Sequence, residues 1–301
     1  MKKYYLLPLF LLFLTISFSQ KKKNTNDGLK SSDLSGLKFR SVGPAFMSGR
    51  IADIAINPEN ENEWYVAVGS GGVWKTDNSG TTWKAITDDQ DFYSTGCITI
   101  DPHNSSKIWL GTGENVGGRH VGIGHGVFVS DNGGKNWKSM GLKSSEHISK
   151  IIVSPKDPNI VFVASQGPLW SSGGERGLYR TDNGGKTWKN VLSVNEWTGV
   201  TDIAIDHNNP NILYAATWQR HRNVASYMGG GPGTSIYKST DHGITWTEIK
   251  NGLPSSNLGK IGLAISPFDS SILYAAVETD RRNGAVYKTT NSGGSWKKMS
   301  D

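Results

Sequence analysis

The 301 residues include one cysteine, Cys97, so no disulfide can form within the chain. Methionine is scarce at 5 residues and proline modest at 11. A bilayer-spanning run is also missing. The apolar stretch at 4–18 would reach only about 22 Å as a helix, against a hydrocarbon core of roughly 30 Å. Nor is there a real excess of one charge. Basic residues number 32 and acidic ones 26, but Lys2, Lys3, Lys21, Lys22 and Lys23 sit in or directly behind that stretch, and setting these five aside leaves 27 against 26. A body so nearly neutral lacks the surface that neutralises phosphates, and no nucleic-acid partner is expected.

The N-terminal features that remain have one reading. A lysine pair, the apolar stretch and the small residues Ser17 and Ser19 form a secretory signal over 1–19, cut ahead of Gln20. The mature protein is then secreted or periplasmic, with no transmembrane segment. Cys97 does not lie at the end of the apolar stretch, so no lipoprotein anchor is available. Residues 20–36 are polar and read as a disordered leader.

What the chain has in abundance is glycine, 37 residues, and tryptophan, 11. Both recur in one signature: TDNSGTTW (76–83), SDNGGKNW (130–137), TDNGGKTW (181–188), STDHGITW (239–246) and TTNSGGSW (289–296). The tryptophans Trp83, Trp137, Trp188, Trp246 and Trp296 follow one another at intervals of 54, 51, 58 and 50 residues. A period near fifty with β-type flanks predicts an all-β propeller of four-stranded antiparallel blades. In each copy an Asx residue (Asn78, Asn132, Asn183, Asp241, Asn291) and a Ser/Thr hydroxyl can bond backbone amides of a tight turn, glycine supplies a positive φ, and tryptophan anchors the turn. This is a folding device rather than a catalytic one.

The blades align as about 50–86, 96–140, 147–192, 199–250 and 259–299, within a propeller domain at 37–301. Each first strand ends near proline, and the second is expected to begin six residues later, at Trp64, Ile108, Val161, Leu213 and Leu273. The third carries an aromatic nine residues before the signature tryptophan. Large length differences fall in the link between strands two and three. Strand alternation puts that link on the face opposite the signature turns, leaving one uniform and one customised face. Rigid scaffolds carry function on loops, so binding is expected on the customised face. Aromatic rings beside Arg and amide groups suit an oligosaccharide or peptide ligand. The expected contacts are Arg119 and His120 in blade two, Trp170 and Arg176 in blade three, Trp218, Gln219, Arg220, Arg222 and Tyr227 in blade four, and Arg281 in blade five. His120 and His125 with Glu114 lack metal-ligand spacing, so neither metal nor cofactor is expected.

The signature resembles the Asp-box (BNR) repeat of sialidases, sortilin-type propellers and xyloglucanase-type glycoside hydrolases, from about Arg50 to the C-terminus. Four copies carry Asn where the repeat usually has Asp. For xyloglucanase-type enzymes the resemblance implies a catalytic Asp at the end of blade one's second strand and a second carboxylate from a later domain. The matching stretch, 67–76, has Gly69 and Ser70 around that position, so Glu114 and Glu175 are the candidate acids within this chain. Residues 38–42 align with a fourth strand, Phe39 matching Trp188, although the last blade has its own. Five blades and a spare strand predict an incomplete ring whose remaining blades are absent from this chain. The resemblance implies an exported binding module for glycan or peptide, or alternatively a glycoside hydrolase completed by further blades.

Overall fold

The structure, a computed structural model, describes residues 30–36, 50–279 and 284–300. The chain divides into two units, Met1–Met47 and Ser48–Asp301. In the first, Ser31–Leu34 forms a 3-10 turn within the stretch read as leader. The expected signal at 1–19 and spare strand at 38–42 lie outside the described residues. No helix among the described residues is long and apolar enough to cross a membrane.

The second unit is all β, five four-stranded antiparallel sheets with the strands in sequence order. Blade one comprises Ile51–Asn57, Asn60–Val68, Gly72–Thr76 and Lys84–Ala85. Blade two comprises Thr95–Asp101, Asn104–Thr112, Val127–Ser130 and Lys138–Ser139. Blade three runs Ile148–Val153, Val161–Ser165, Gly177–Thr181 and Lys189–Leu192. Blade four runs Thr198–Ile205, Leu213–Gln219, Ile236–Ser239 and Thr247–Glu248. Blade five runs Leu258–Ile265, Leu273–Thr279, Ala285–Thr289 and Lys297–Lys298. The second strands of blades one and two start four residues earlier than the sequence spacing predicts, because Asn57 pairs with Asn60 and Asp101 with Asn104 across a two-residue hairpin. The fourth strands are short and lysine-bearing, which blunts the outer edges against stray pairing.

All five signature turns are built alike. The Asx Oδ1 accepts the amide four residues ahead, from Thr82, Asn136, Thr187, Thr245 and Ser295, at 2.9–3.0 Å. The Ser/Thr hydroxyl accepts the amide of the signature glycine and donates to the same Oδ1, as Thr181 does at 3.0 and 2.9 Å. Each turn places two successive residues at positive φ, from Ser79 and Gly80 through Ser292 and Gly293. The first of the two donates its amide to a carbonyl of the first hairpin, to Asn62, Ser106, Asn159, Asn211 and Ser271 in turn. Turns and hairpins therefore share one face, as strand alternation requires.

The blades pack face to face, with one apolar cluster per junction. Each signature tryptophan after the first lies in the cluster shared with the preceding blade. Trp188 donates its indole N–H to Met140 O at 2.7 Å, and Trp296 to Ile249 O at 3.1 Å. First strands of successive blades lie side by side, and one side-chain bond stitches each step. Asp53 accepts Ile98 N, Thr99 donates to Ile151 O, Ser149 donates to Val200 O, and Asp202 accepts Leu263 N, all at 2.8–3.1 Å.

Candidate functional site

The customised face gathers the loops that follow the second strands. Glycine-rich loops have no ladder partner for their carbonyls, so enclosed ones need other donors. Guanidinium groups, with five N–H bonds on a planar fork, meet that need. The blade-two loop is held this way at three consecutive carbonyls by residues of blades four and five. Lys260 Nζ donates to Asn115 O and Oδ1, both at 2.6 Å. Arg220 donates to Val116 O at 2.9 Å, and Arg222 makes two bonds to Gly117 O at 2.9 and 3.1 Å. In return Arg119 donates to Val224 O at 3.0 Å. The loop forms a strap across the face, and it has no room for bulk, since a β-carbon on Gly117 would strike the Tyr227 hydroxyl.

This arrangement reassigns several expected ligand contacts. Arg220 is 0% exposed and Trp218 3%, and the Arg220 and Lys260 cations both lie against the Trp218 ring, 5.1 and 5.4 Å from its centroid. Arg176 is buried and spends its guanidinium on the carbonyls of Gln166, Pro168, Ser171, Gly173 and Trp197. Gln219 Oε1 accepts Gly233 N within its own loop. The cations on this face are thus loop-holding groups first. Burial draws the Lys260 ammonium down to about 8 and the Arg220 guanidinium to about 9, the Arg220 charge adding to the Lys260 effect. Trp170, Tyr227, Arg119 and His120 remain exposed, Arg222 is half-buried under its bonds to Gly117, and Arg281 lies outside the described residues. The blade-four loop, read as irregular, contains a small hairpin, His221–Arg222 with Tyr227–Met228.

The two expected acids are both engaged, in different places. Glu114 is buried and ion-paired to Arg50, whose Nε lies 2.8 Å from Oε1, while Oε2 accepts Gly122 N at 2.8 Å. Its Oε1 fills the space that a side chain at Gly69 would occupy. Glu175 Oε2 accepts the amide and hydroxyl of Ser144 at 2.8 and 2.9 Å.

A third carboxylate, Glu146, escaped the sequence reading. It follows a 3-10 turn, Lys143–Ser145, with φ 58° and ψ −30°, and His147 N bonds Ser145 O across it at 2.7 Å. This is close to the rare γ-turn of positive φ, a strained conformation for a residue with a β-carbon. Burial raises its carboxyl, against the pull of Arg176 and Arg220. Beside it His147 is buried with neither ring nitrogen bonded, and burial followed by the Arg220 charge holds its imidazole down at about 3. Nothing in the local sequence, GLKSSEH, marks this turn; only the tertiary crowding of blades two and three does.

Between blades one and two a hollow of about 560 Å³ opens on the same face. Tyr93 and Ile123 stand exposed at it beside Asp88, Gln90, Asp91 and His125. An accessible ring flanked by carboxylate, amide and imidazole groups can stack on an apolar ligand face and bond its hydroxyls. The segment carrying Tyr93 links blades one and two, so attention to the strand-two loops alone passed it over.

No family model matches the chain. Among curated proteins it is 28% identical over 258 residues to a xyloglucanase of Hypocrea jecorina, covering 73% of this chain and 28% of that protein. A xyloglucanase of a Paenibacillus species is 24% identical over 290 residues, covering 87% and 27%. Among solved structures, the GH74 enzyme of Niastella koreensis superposes with a TM-score of 0.64 at 18% identity, over 83% of this chain and 38% of that one. The chain thus spans under a third of the length of these curated relatives. In sequence and in fold it is similar to the β-propellers of glycoside hydrolases.

Proposed function

We propose that the chain is a carbohydrate-active propeller, part of a glycoside hydrolase acting on xyloglucan or a related β-glucan, with the glycan lying on the customised face. The alignment to xyloglucanases over most of this chain supports this reading above all. The structure adds that a carboxylate, Glu114, stands against Gly69, at the end of blade one's second strand, where the resemblance implies an acid. Here the acid comes from the next blade and is held by Arg50. Export through the signal at 1–19 belongs to the same proposal, because a polysaccharide substrate lies outside the cell.

A binding role without cleavage is the second reading, favoured by the engagement of both Glu114 and Glu175. One set of measurements separates them. Retardation in gels containing xyloglucan reports binding, and release of reducing ends reports hydrolysis. The enzyme reading expects both, with release abolished and retardation kept in Glu114→Gln. Retardation without release in the wild type would favour the binding reading, and neither would defeat both. Binding at the hollow predicts at least tenfold weaker retardation in Tyr93→Ala, the usual order for an aromatic anchor worth about 2 kcal/mol.

A further inference from the structure

The molecule builds the same blade junction four times, and its two end blades each display one uncovered half of it. On the side by which a blade meets its predecessor, the signature tryptophan is the anchor. Trp296 of blade five is 5% exposed, whereas its counterpart in blade one, Trp83, is 41% exposed. Around Trp83 an apolar groove of about 380 Å³ is lined by Ile54, Trp64, Val66, Val68 and Trp74. On the side by which a blade meets its successor, Tyr214 and Ile236 of blade four are fully buried. Their register equivalents in blade five, Tyr274 and Val286, are 40% and 37% exposed. Among the described residues no blade covers either surface.

The two surfaces also match in detail. At the junction of blades four and five, Trp296 donates to Ile249 O, and Lys238 Nζ donates to Ser292 O at 2.9 Å while lying 5.6 Å from the Tyr214 ring. Blade five holds the same parts ready. Lys288 lies 5.5 Å from the Tyr274 ring, and Met299, three residues after Trp296 as Ile249 is after Trp246, is exposed. Blade one supplies Trp83 and, at the position of Ser292, Ser79 with the same positive φ. Exposed apolar sheet faces of this extent mark interaction sites.

We propose that blade one of one copy docks on blade five of a second copy as a further blade junction. In it the Trp83 indole donates to Met299 O and Lys288 to Ser79 O across the contact. The occupant is a second copy because this chain carries both complementary halves. The contact is head-to-tail, so it continues into longer assemblies unless the rotation closes a ring. This does not depend on the carbohydrate reading.

Sedimentation velocity tests the idea on the full chain. The wild type is expected to reach at least twice the monomer mass as concentration rises. Trp74→Arg spoils only the blade-one surface and Tyr274→Arg only the blade-five surface, and both positions are exposed. Each variant alone should stay monomeric. Mixed, they should form a one-to-one dimer, because the intact blade five of the first meets the intact blade one of the second. That recovery also shows that both variants are folded. A wild type that stays monomeric would overturn the proposal and leave these faces to some other occupant. Self-association of either variant alone, or no complex in the mixture, would overturn the head-to-tail contact.

Discussion

Asp241 and the four signature asparagines do one job with opposite hydrogen-bond polarity at the second Asx atom. Asn183 Nδ2 donates to the Thr187 hydroxyl at 2.8 Å, whereas the Thr245 hydroxyl donates to Asp241 Oδ2. A threonine hydroxyl serves either way, so Asp241→Asn should leave the melting temperature nearly unchanged at neutral pH. Asp241→Ala strands the amides of Ile244 and Thr245, and should cost about 1 kcal/mol, the net worth of a typical intramolecular hydrogen bond. The turn is partly exposed, so water limits the loss. The hydroxyl and amide of Thr245 hold the Asp241 carboxyl well below the usual range, so its contribution fades as pH falls, and Asp241→Asn should flatten that part of the acid limb. His147 tilts stability in the same direction for a different reason. Its folded pKa, about 3, lies below the 6.5 of a free imidazole, so between those values the unfolded chain binds the extra proton and stability falls with falling pH. The slope from this one group is at most about 1.4 kcal/mol per pH unit. Denaturant titrations of His147→Leu should show a shallower decline from pH 6.5 downward and little change at pH 7, since both ring nitrogens lack partners. An unchanged decline would remove His147 from the account.

At the scale of the element, the strands and turns were legible and the loop contacts were not, for a single physical reason. A signature turn is closed by groups within five residues of one another, so Asn, Gly and Trp at fixed spacing carry the whole instruction. The strap over the customised face depends on pairings such as Lys260 with Asn115, at a sequence separation of 145, and no local pattern encodes them. Arg176, Arg220 and Arg222 therefore looked like ligand donors, being dense on a loop-rich face, while the structure turns them onto backbone carbonyls. Glu146 and Tyr93 were missed for the complementary reason, one lying in a turn with no motif and the other in an inter-blade link. The strap makes its own prediction. Lys260→Met keeps apolar contact with Trp218 and removes the ammonium. Amide exchange in the blade-two loop, read by mass spectrometry, should speed up about tenfold, as expected for roughly 1.4 kcal/mol of lost local protection, while the strands of blades two and three keep theirs. Unchanged exchange at Gly117 to Gly122 would mean that the two arginines suffice.

At the scale of the molecule, the near-neutral charge that argued against nucleic acid suits a surface that must approach an uncharged polysaccharide, and the uniform face leaves the opposite one free to vary. The strap also sets how the arc assembles in time. Strand pairs and blade junctions link neighbours in the chain, so they can form one after another from a newly made N-terminus, as in other quasi-one-dimensional repeats. The strap must wait until blade five exists, and closing so large a loop is slow although its entropic cost grows only logarithmically with length. Blade five is thus both the last piece to arrive and the piece whose departure frees the blade-two loop. A molecule that would otherwise fray blade by blade from its C-terminal end is made to lose, in its first step, a contact that reaches back to its second blade, which couples the two ends of the arc into one kinetic unit.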